Sequence, residues 1–496
     1  ASAEEQYSAP TLRKRLAQLY LRQGDLNRAL SETETGIEQD SENTDLIKLR
    51  AGILAAKKRN PEAIAEYKRL IELSKAKSED PYILLASLYA QENDMPAAKA
   101  TLDQLLKAKP KSFIAVYYLA RLAVTSGDLA EAETLYHRAL ELTPNKEPVY
   151  LDLARVYTLQ KRFDKAIEIT DQLIKRNPGN IKARELRGDI LLGKDQVPDA
   201  LTEFETLSKI ETDPSQTRLK IGLIKLQRRD YEGAETELRL VLSQHPENAP
   251  ARYYLASTYA AMKRVEDALE QIRAIKPDQE YFLEASTLGV YLLREVQSFD
   301  RAVELVDNLL TTRPNNLRLM MLKASLLRDD KRLPEAIKLV EQVISLQQES
   351  KTDQSDDYHF TLGVYLDEAG RKDEALASMR RAIELNPNNA NALNYLGYSY
   401  AEAGINLEEA LDLINRALAL EPQNGYYIDS LGWAYYQMGR YEDALRELKR
   451  AAELANEDAV ILEHYARALL KLNRRDDAIK ALHRARDSAP DSEDKE

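Results

Sequence analysis

Small residues recur at a regular spacing along the chain, each within a stretch whose apolar positions follow the helical period. Successive small residues are 34 positions apart, except for two intervals of 35 and one of 39. A period of this length is typical of repeated helical hairpins, so the pattern predicts fourteen hairpins and no β-strands. The recurring residues are Ala29, Ala63, Ala98, Ala132, Ala166, Ala200, Ala234, Ala268, Ala302, Ala336, Ala375, Ala410, Ala444 and Ala478.

A second small residue lies twelve or thirteen positions before each of these alanines, as Gly432 does before Ala444. Two small residues in one repeat leave room for its two helices to cross closely. Gly439, between them, suits a turn with a positive φ. A proline twelve residues after the alanine often ends the unit, because proline stops the second helix. These prolines are Pro110, Pro144, Pro178, Pro246, Pro314, Pro387, Pro422 and Pro490.

The segment 429–454, DSLGWAYYQMGRYEDALRELKRAAEL, resembles the consensus of the tetratricopeptide repeat (TPR) family, and the same register covers nearly the whole chain. The resemblance implies an all-α fold, an α-solenoid in which about 14 TPR helical hairpins form a right-handed superhelix. Each hairpin leaves an apolar face that only the next hairpin covers, so we expect stability to be shared between neighbours.

The repeats predict the organisation of the chain. Repeat 8 closes early, with the sequence RAIKPDQ, so its second helix should be short. The 39-residue interval indicates an insertion, interpreted either as a longer loop or as a hinge between two blocks. Because the chain starts at Ala1, we expect a processed or trimmed product. The predicted segments are a flexible leader (1–10), repeats 1–10 (11–348), the insertion (349–356), repeats 11–14 (357–490) and an acidic tail (491–496).

Composition narrows the classes of function. The net charge is −12, with a pI near 5.3 and no Lys/Arg block, which argues against binding nucleic acid. The absence of cysteine excludes disulfides and thiolate chemistry. No apolar run approaches the roughly 18 residues that span a bilayer, so membrane contact is expected only through a lipid anchor missing from this chain.

Motifs for catalysis are absent from the sequence. The five histidines fall in different repeats or at different hairpin positions, without metal-ligand spacing. No Gly-rich phosphate loop and no GxSxG elbow occur. We therefore expect a protein that is not an enzyme and that has no cofactor, no metal and no small-molecule substrate.

The resemblance also implies where a partner protein or peptide binds. In TPR proteins the first helix of each hairpin lines the inner wall, at positions six and three before its small residue and one and four after it. In repeats 12 to 14 this register places an aromatic cluster beside amide and carboxylate groups, which suits an extended peptide. Trp433, the only tryptophan, is interpreted either as a contact for the partner or as packing against repeat 14. The candidates are Asn391, Asn394, Tyr398, Tyr426, Asp429, Trp433, Tyr436, Glu463 and Arg467.

The same register gives Tyr117, Arg121 and Arg155 in repeats 4 and 5. These side chains are interpreted either as contacts for an acidic segment or as a solvated face. The Lys and Asn positions with which some TPR co-chaperones grip a terminal carboxylate do not carry those residues in repeats 12 to 14. A clamp of that kind is therefore not expected.

Residues 391–451 are similar to the C-terminal block of long bacterial TPR proteins, many of which are exported lipoproteins and some of which are adaptors for carboxy-terminal processing proteases. The resemblance implies a non-enzymatic scaffold in a bacterial periplasm, tethered to the outer membrane, although a cytoplasmic location stays open. Two alternatives remain from the sequence: a chaperone-like binder of unfolded peptides and a self-assembling structural repeat protein.

Overall fold

The structure is a computed structural model that describes residues 9–74, 77–349 and 355–488. These residues form twenty-eight α-helices and no β-strand, so the all-α prediction is confirmed for this part of the chain. The helices pair into the fourteen predicted hairpins. In chain order they are α1 Ala9–Arg22, α2 Leu26–Gln39, α3 Thr44–Ala56, α4 Asn60–Ser74, α5 Asp80–Gln91, α6 Met95–Ala108, α7 Phe113–Thr125, α8 Leu129–Leu142, α9 Glu147–Leu159, α10 Phe163–Arg176, α11 Ile181–Gly193, α12 Val197–Ile210, α13 Ser215–Gln227, α14 Tyr231–Gln244, α15 Ala249–Ala261, α16 Val265–Arg273, α17 Phe282–Glu295, α18 Phe299–Thr312, α19 Leu317–Asp329, α20 Leu333–Glu349, α21 Asp356–Glu368, α22 Lys372–Leu385, α23 Ala390–Ala403, α24 Leu407–Leu420, α25 Gly425–Gln437, α26 Tyr441–Leu454, α27 Ala459–Lys471 and α28 Arg475–Ser488.

The small residues lie where the two helices of a hairpin cross. Ala444 on α26 is fully buried. A Cβ atom added to Gly432 on α25 would lie 2.6 Å from Cγ of Leu448 on α26. The same relation holds in hairpin 6, where Gly188 faces Phe204 at 2.6 Å. The small residue of the first helix therefore accommodates the large side chain one turn beyond the small residue of the second helix.

A left-handed residue closes the first helix in all fourteen described hairpins. Gly439 has φ +76°, as predicted, and the N–H of Arg440 donates to the carbonyl of Tyr435 at 2.9 Å. This is the Schellman arrangement, which satisfies carbonyls at the helix end. Most hairpins use a residue other than glycine there. The fourteen residues are Gly24, Lys58, Asn93, Gly127, Lys161, Asp195, Arg229, Lys263, Gln297, Lys331, Gly370, Gly404, Gly439 and Asn473.

Prolines follow the second helix at the boundaries between hairpins, as the sequence predicts. Pro144 lies two residues beyond the end of α8, and Pro422 lies two residues beyond the end of α24. An asparagine then begins the next first helix: Asn389 Oδ1 accepts from the N–H of Ala392 at 2.8 Å. Such N-caps satisfy a backbone donor that the helix cannot pair internally. The proline and the asparagine thus end one hairpin and start the next within a few residues.

The chain divides into two compact units, Ala1–Pro246 and Glu247–Glu496. The described part of each unit contains seven hairpins. Within the first unit, one buried apolar cluster runs from Val116 to Ile190 through hairpins 4 to 6, which shows neighbouring hairpins sharing their apolar faces. Within the second unit, α16 has only nine residues, which confirms the predicted short second helix of repeat 8.

The predicted segments outside the repeats fall mostly outside the described residues. Of the predicted leader, 1–10, only the last two residues are described, and they belong to α1. The acidic tail, 491–496, lies outside the described residues, as does most of the predicted insertion, 349–356. The helices on either side of the insertion, α20 and α21, are in contact and belong to the same compact unit. The boundary between units is at Pro246, so it does not coincide with the insertion.

Candidate functional site

The nine candidates of repeats 12 to 14 lie on the three first helices α23, α25 and α27 of the second unit. Helix α25 contacts both α23 and α27 directly, so these helices form adjacent rows of one surface. We call this surface the first-helix wall. Its predicted members are Asn391, Asn394, Tyr398, Tyr426, Asp429, Trp433, Tyr436, Glu463 and Arg467.

Trp433 is a buried part of this wall, with only 3% of the residue exposed. Its indole Nε1–H donates to Glu402 Oε2 at 2.6 Å. The indole also stacks on Tyr436, with 4.7 Å between ring centroids, and on His464 of α27 at 4.2 Å. The interpretation that Trp433 packs against repeat 14 is therefore the one that the structure supports. An indole is stable inside the protein when its N–H has an acceptor, as it has here.

Asp429 is also buried, at 7% exposure, although the register placed it among residues that contact a partner. Its carboxylate lies 2.9 Å from Nδ1 of His464, which is itself 5% exposed. A buried carboxylate needs a hydrogen-bonding partner, and His464 provides one from the next hairpin. The expectation that Asp429 offers a free polar group to a peptide is therefore wrong for this structure.

Three of the nine candidates are exposed. Tyr426 is 58% exposed, and Asn391 and Arg467 are exposed as well. Asn391 Oδ1 accepts from the hydroxyl of Tyr427 at 2.7 Å. Tyr398, Tyr436 and Glu463 are partly buried. These side chains retain accessible surface that another molecule can contact.

The guanidinium group of Arg467 contacts both an aromatic ring and a carboxylate on this surface. Its side chain lies over the indole of Trp433, 5.6 Å from the ring centroid, and it donates to Glu463 Oε1 at 2.5 Å. The cation is thus held by an aromatic face together with a carboxylate.

Two candidates of α23 have unusual polar groups. The side-chain oxygen of Asn394 is buried and accepts no hydrogen bond within the described residues. Burial, together with the charge of Glu402, raises the pKa of Tyr398 far above its ordinary range. The Tyr398 hydroxyl donates to Glu402 Oε2 at 3.4 Å. Glu402 consequently accepts hydrogen bonds from both Tyr398 and Trp433.

Sequence reasoning missed Glu402 and His464, which connect the three helices. Glu402 lies five positions after Gly397, one position beyond the register that was used, so extending that register would have found it. His464 carries no comparable signal, because its role follows from stacking on Trp433 and from its contact with Asp429.

The candidates of repeats 4 and 5 form a separate group in the first unit. The Tyr117 hydroxyl donates to Asp152 Oδ2 at 2.8 Å, and Arg155 donates to Asp152 Oδ1 at 2.8 Å. Burial and this hydrogen bond raise the pKa of Tyr117 to about 12. Arg121 is exposed and lies over the ring of Tyr118. Asp152 already pairs with Tyr117 and Arg155. These two side chains are therefore less available to an acidic segment than the sequence suggested.

Residues 9–74, 77–349 and 355–488 contain neither a candidate metal site nor a candidate membrane-spanning helix. No group of three or more His, Cys, Asp or Glu side chains in these ranges could hold a metal ion. No helix in the same ranges combines the length and apolar character needed to cross a membrane.

Family models match most of the chain. One model described as tetratricopeptide repeat matches residues 14–81, 83–147, 288–350 and 360–425, together more than half of the 496 residues. A second model with the same description matches residues 123–190 and 225–280. A model described as anaphase-promoting complex, cyclosome, subunit 3 matches residues 403–485.

Individual relatives are distant. DnaJ homolog subfamily C member 3 of Gallus gallus is 22% identical over 400 residues, which cover 74% of this chain and 74% of the relative. Protein O-mannosyl-transferase TMTC3 of Homo sapiens is 27% identical over 48% of this chain, but the match spans only 28% of that protein. Anaphase-promoting complex subunit 3 of Schizosaccharomyces pombe is 22% identical over 36% of this chain and 27% of its own length.

The sequence identity to solved structures is also low. The APC/C hetero-tetramer Cut9-Hcn1 contains a chain with 15% identity and a TM-score of 0.39, covering 98% of this chain and 95% of that one. A tetratricopeptide repeat protein from Parabacteroides merdae has 18% identity and a TM-score of 0.37, covering 50% of this chain and 98% of that one.

Proposed function

Because the chain belongs to the tetratricopeptide repeat family, we propose that it is a non-enzymatic protein-interaction scaffold. In this proposal it binds a partner protein or an extended peptide on the first-helix wall of hairpins 12 to 14. The observation that carries this proposal is the combination of a rigid aromatic stack with an exposed tyrosine ring on the same helix. Tyr436 stacks on the buried Trp433, while Tyr426 is exposed nearby on the same helix.

Rigid aromatic side chains favour binding because little conformational entropy is lost when they are covered. The Tyr436–Trp433–His464 stack fixes the ring of Tyr436 before any partner arrives. Tyrosine rings provide contact area, and their hydroxyl groups pair with backbone groups of an extended peptide. The wall is thus organised in advance as a contact surface, and its candidate anchors are Tyr436, Tyr426 and Tyr398.

A capture experiment tests the proposal. Full-length protein and a Tyr426→Ala/Tyr436→Ala variant are used to capture proteins from the source cell, and the bound sets are compared by mass spectrometry. The matched control is Tyr291→Ala on α17, which removes a 54% exposed ring far from the wall in sequence. We expect a stoichiometric partner to be lost with the double variant and kept with the control. Identical bound sets for all three proteins would contradict binding at this wall.

We also propose, from the resemblance to long bacterial TPR lipoproteins, that this scaffold is an adaptor in a bacterial periplasm, tethered to the outer membrane, and that it delivers substrates to a carboxy-terminal processing protease. The adaptor role predicts that adding the purified chain to such a protease raises the rate of substrate cleavage. A rate that does not change at any ratio of the two proteins would overturn the adaptor role and would leave the scaffold proposal standing.

A further inference from the structure

The first helices of hairpins 11 to 13 have an unusual charge distribution. Helices α21, α23 and α25 contain six carboxylates and not a single lysine or arginine. In the first unit, by contrast, the first helices α11 and α13 both contain lysine and arginine. The six carboxylates belong to Asp356, Asp357, Asp367, Glu368, Glu402 and Asp429.

Three of these carboxylates lie beside aromatic side chains. Glu402 accepts from Trp433 and Tyr398, as described above, and Asp429 contacts His464. Burial raises the pKa of Tyr395 well above its ordinary range, and the neighbouring carboxylate of Asp367 raises it further. None of these three carboxylates forms an ion pair with a lysine or arginine in the described part of the chain. Glu402 accepts hydrogen bonds from the neutral indole of Trp433 and the phenol of Tyr398, and no lysine or arginine pairs with Glu402 in the described part of the chain.

The chain itself shows which ligand suits this surface. Arg467 lies over the Trp433 ring and pairs with Glu463, so one guanidinium is already held by a ring and a carboxylate here. Glu402 is exposed and lies beside Tyr398 and Trp433, which both donate to it, and no cation pairs with its carboxylate within the described residues. A positive side chain gains both from a carboxylate and from the face of an aromatic ring.

A buried oxygen on the same wall also lacks a partner. The side-chain oxygen of Asn394, on α23, has no donor within the described residues. An unpaired buried acceptor costs free energy, and an N–H group of a bound chain would remove that cost. An amide oxygen can accept from a backbone amide or from a cationic side chain, so an N–H donor of a basic peptide segment would satisfy Asn394 once its side chain rotates toward the surface.

Resting on the proposed function, we infer that the partner segment bound on the first-helix wall is basic, and that one of its lysine or arginine side chains pairs with Glu402 beside the rings of Tyr398 and Trp433. Charge complementarity selects this occupant: acidic segments are repelled by the exposed carboxylate of Glu402, and neutral segments leave that carboxylate without a cation. The same repulsion disfavours nucleic acid.

Three synthetic libraries of twelve-residue peptides test this inference. They share the same degenerate apolar positions and differ only at four fixed positions, which contain lysine, glutamine or glutamate. Binding to the full chain is followed by fluorescence anisotropy at low and at high salt. At low salt, we expect the lysine library to bind about tenfold more tightly than the glutamine library, and the glutamate library to bind most weakly. At high salt, we expect the lysine library to lose its advantage.

Two variants with matched charge changes complete the experiment. Glu402→Gln keeps an oxygen that can accept from Trp433, and we expect it to reduce the advantage of the lysine library several-fold. Glu185→Gln makes the same change on α11 of the first unit and should leave that advantage intact. A lysine library that binds no better than the glutamine library, or an advantage unaffected by Glu402→Gln, overturns the inference.

The outcomes separate this inference from the proposed function. If all three libraries bind equally and Tyr426→Ala/Tyr436→Ala abolishes that binding, the wall is a peptide site without charge selection, and only the inference fails. If no library binds, or if the double variant binds every library as the wild type does, both the inference and the proposed peptide site fail.

Discussion

The indole nitrogen of Trp433 on α25 donates a 2.6 Å hydrogen bond to Glu402 Oε2 on α23, so the only tryptophan of the chain links two successive hairpins. The same ring stacks on His464 of the following hairpin. Trp433 therefore contributes to both interfaces of hairpin 13. Because it is the only tryptophan, its fluorescence reports on this part of the chain alone.

Removing the Trp433 ring should destabilise hairpins 12 to 14 locally. We expect Trp433→Ala to cost about 3–5 kcal/mol, as is typical when a buried aromatic ring is deleted. Trp433→Phe, which keeps a ring but loses the hydrogen bond to Glu402, should cost much less. Hydrogen exchange of α25 and α27 measures both effects. Tyr426→Ala is the control, and it should change exchange little because its ring is exposed. Equal protection in Trp433→Ala and the wild type would contradict the assigned packing.

The close crossing at Gly432 should not tolerate even one methyl group. Gly432→Ala places a Cβ atom 2.6 Å from Cγ of Leu448 and 3.2 Å from the Leu448 backbone nitrogen, and we expect a loss of about 1–3 kcal/mol. In Gly52→Ala, also on a first helix, the atom that packs closest to the new Cβ is the Tyr67 hydroxyl oxygen at 3.9 Å. That variant should be neutral or slightly stabilising, because alanine favours helices.

Denaturant titration followed by Trp433 fluorescence measures the Gly432 effect, since the indole lies in the same hairpin. Far-UV circular dichroism serves for Gly52, which is in the first unit. If Gly432→Ala and Gly52→Ala shift unfolding in the same direction, the close-crossing interpretation of Gly432 is wrong.

The turn at Gly439 provides a separate test of backbone conformation. Gly439 has φ +76°, and an added Cβ would have no atom within 4 Å, so any cost of Gly439→Ala comes from the backbone. We expect that cost to be about 1 kcal/mol. Arg229 occupies the equivalent turn of hairpin 7 with φ +64°, so Arg229→Ala carries no new backbone penalty. The thermal unfolding midpoint should therefore fall more for Gly439→Ala than for Arg229→Ala. An equal fall in both variants would contradict the interpretation that the left-handed backbone at Gly439 favours glycine.

His359 on α21 predicts a dependence of stability on pH. Burial lowers its pKa below the ordinary value, and the charge of Arg381 lowers it further. The folded state thus favours the neutral ring. The resulting stability is present above the unfolded-state pKa of about 6.5 and is lost as the pH falls through the lower folded-state pKa.

Proton NMR of the histidine rings, assigned with His359→Gln, checks this prediction. We expect the His359 resonance to titrate below that of a free imidazole. We also expect the variant to lose less stability than the wild type between about pH 7 and about pH 5. A resonance that titrates at or above the value of a free imidazole would refute the assigned burial.

The helical part of this fold could be predicted because its signals are local. A spacing of 34 residues, small residues at both crossing positions, Gly439 at the turn and prolines beyond the helix ends each act within one hairpin. Even the short α16 could be predicted, since the sequence RAIKPDQ ends the helical pattern early. The non-glycine left-handed turns, such as Lys161 and Arg229, could not be read from residue type, because the repeat imposes them.

The sequence by itself determined the fourteen hairpins and the register that places Tyr398, Asp429 and Trp433 on first helices. Only the tertiary structure decided which of these side chains stay accessible. Asp429 and Trp433 are covered by His464, and Glu402 is brought to the indole from 31 positions away. The physical reason is that helical periodicity fixes the direction in which a side chain points, whereas its burial depends on the size and hydrogen-bonding groups of residues in the neighbouring hairpins.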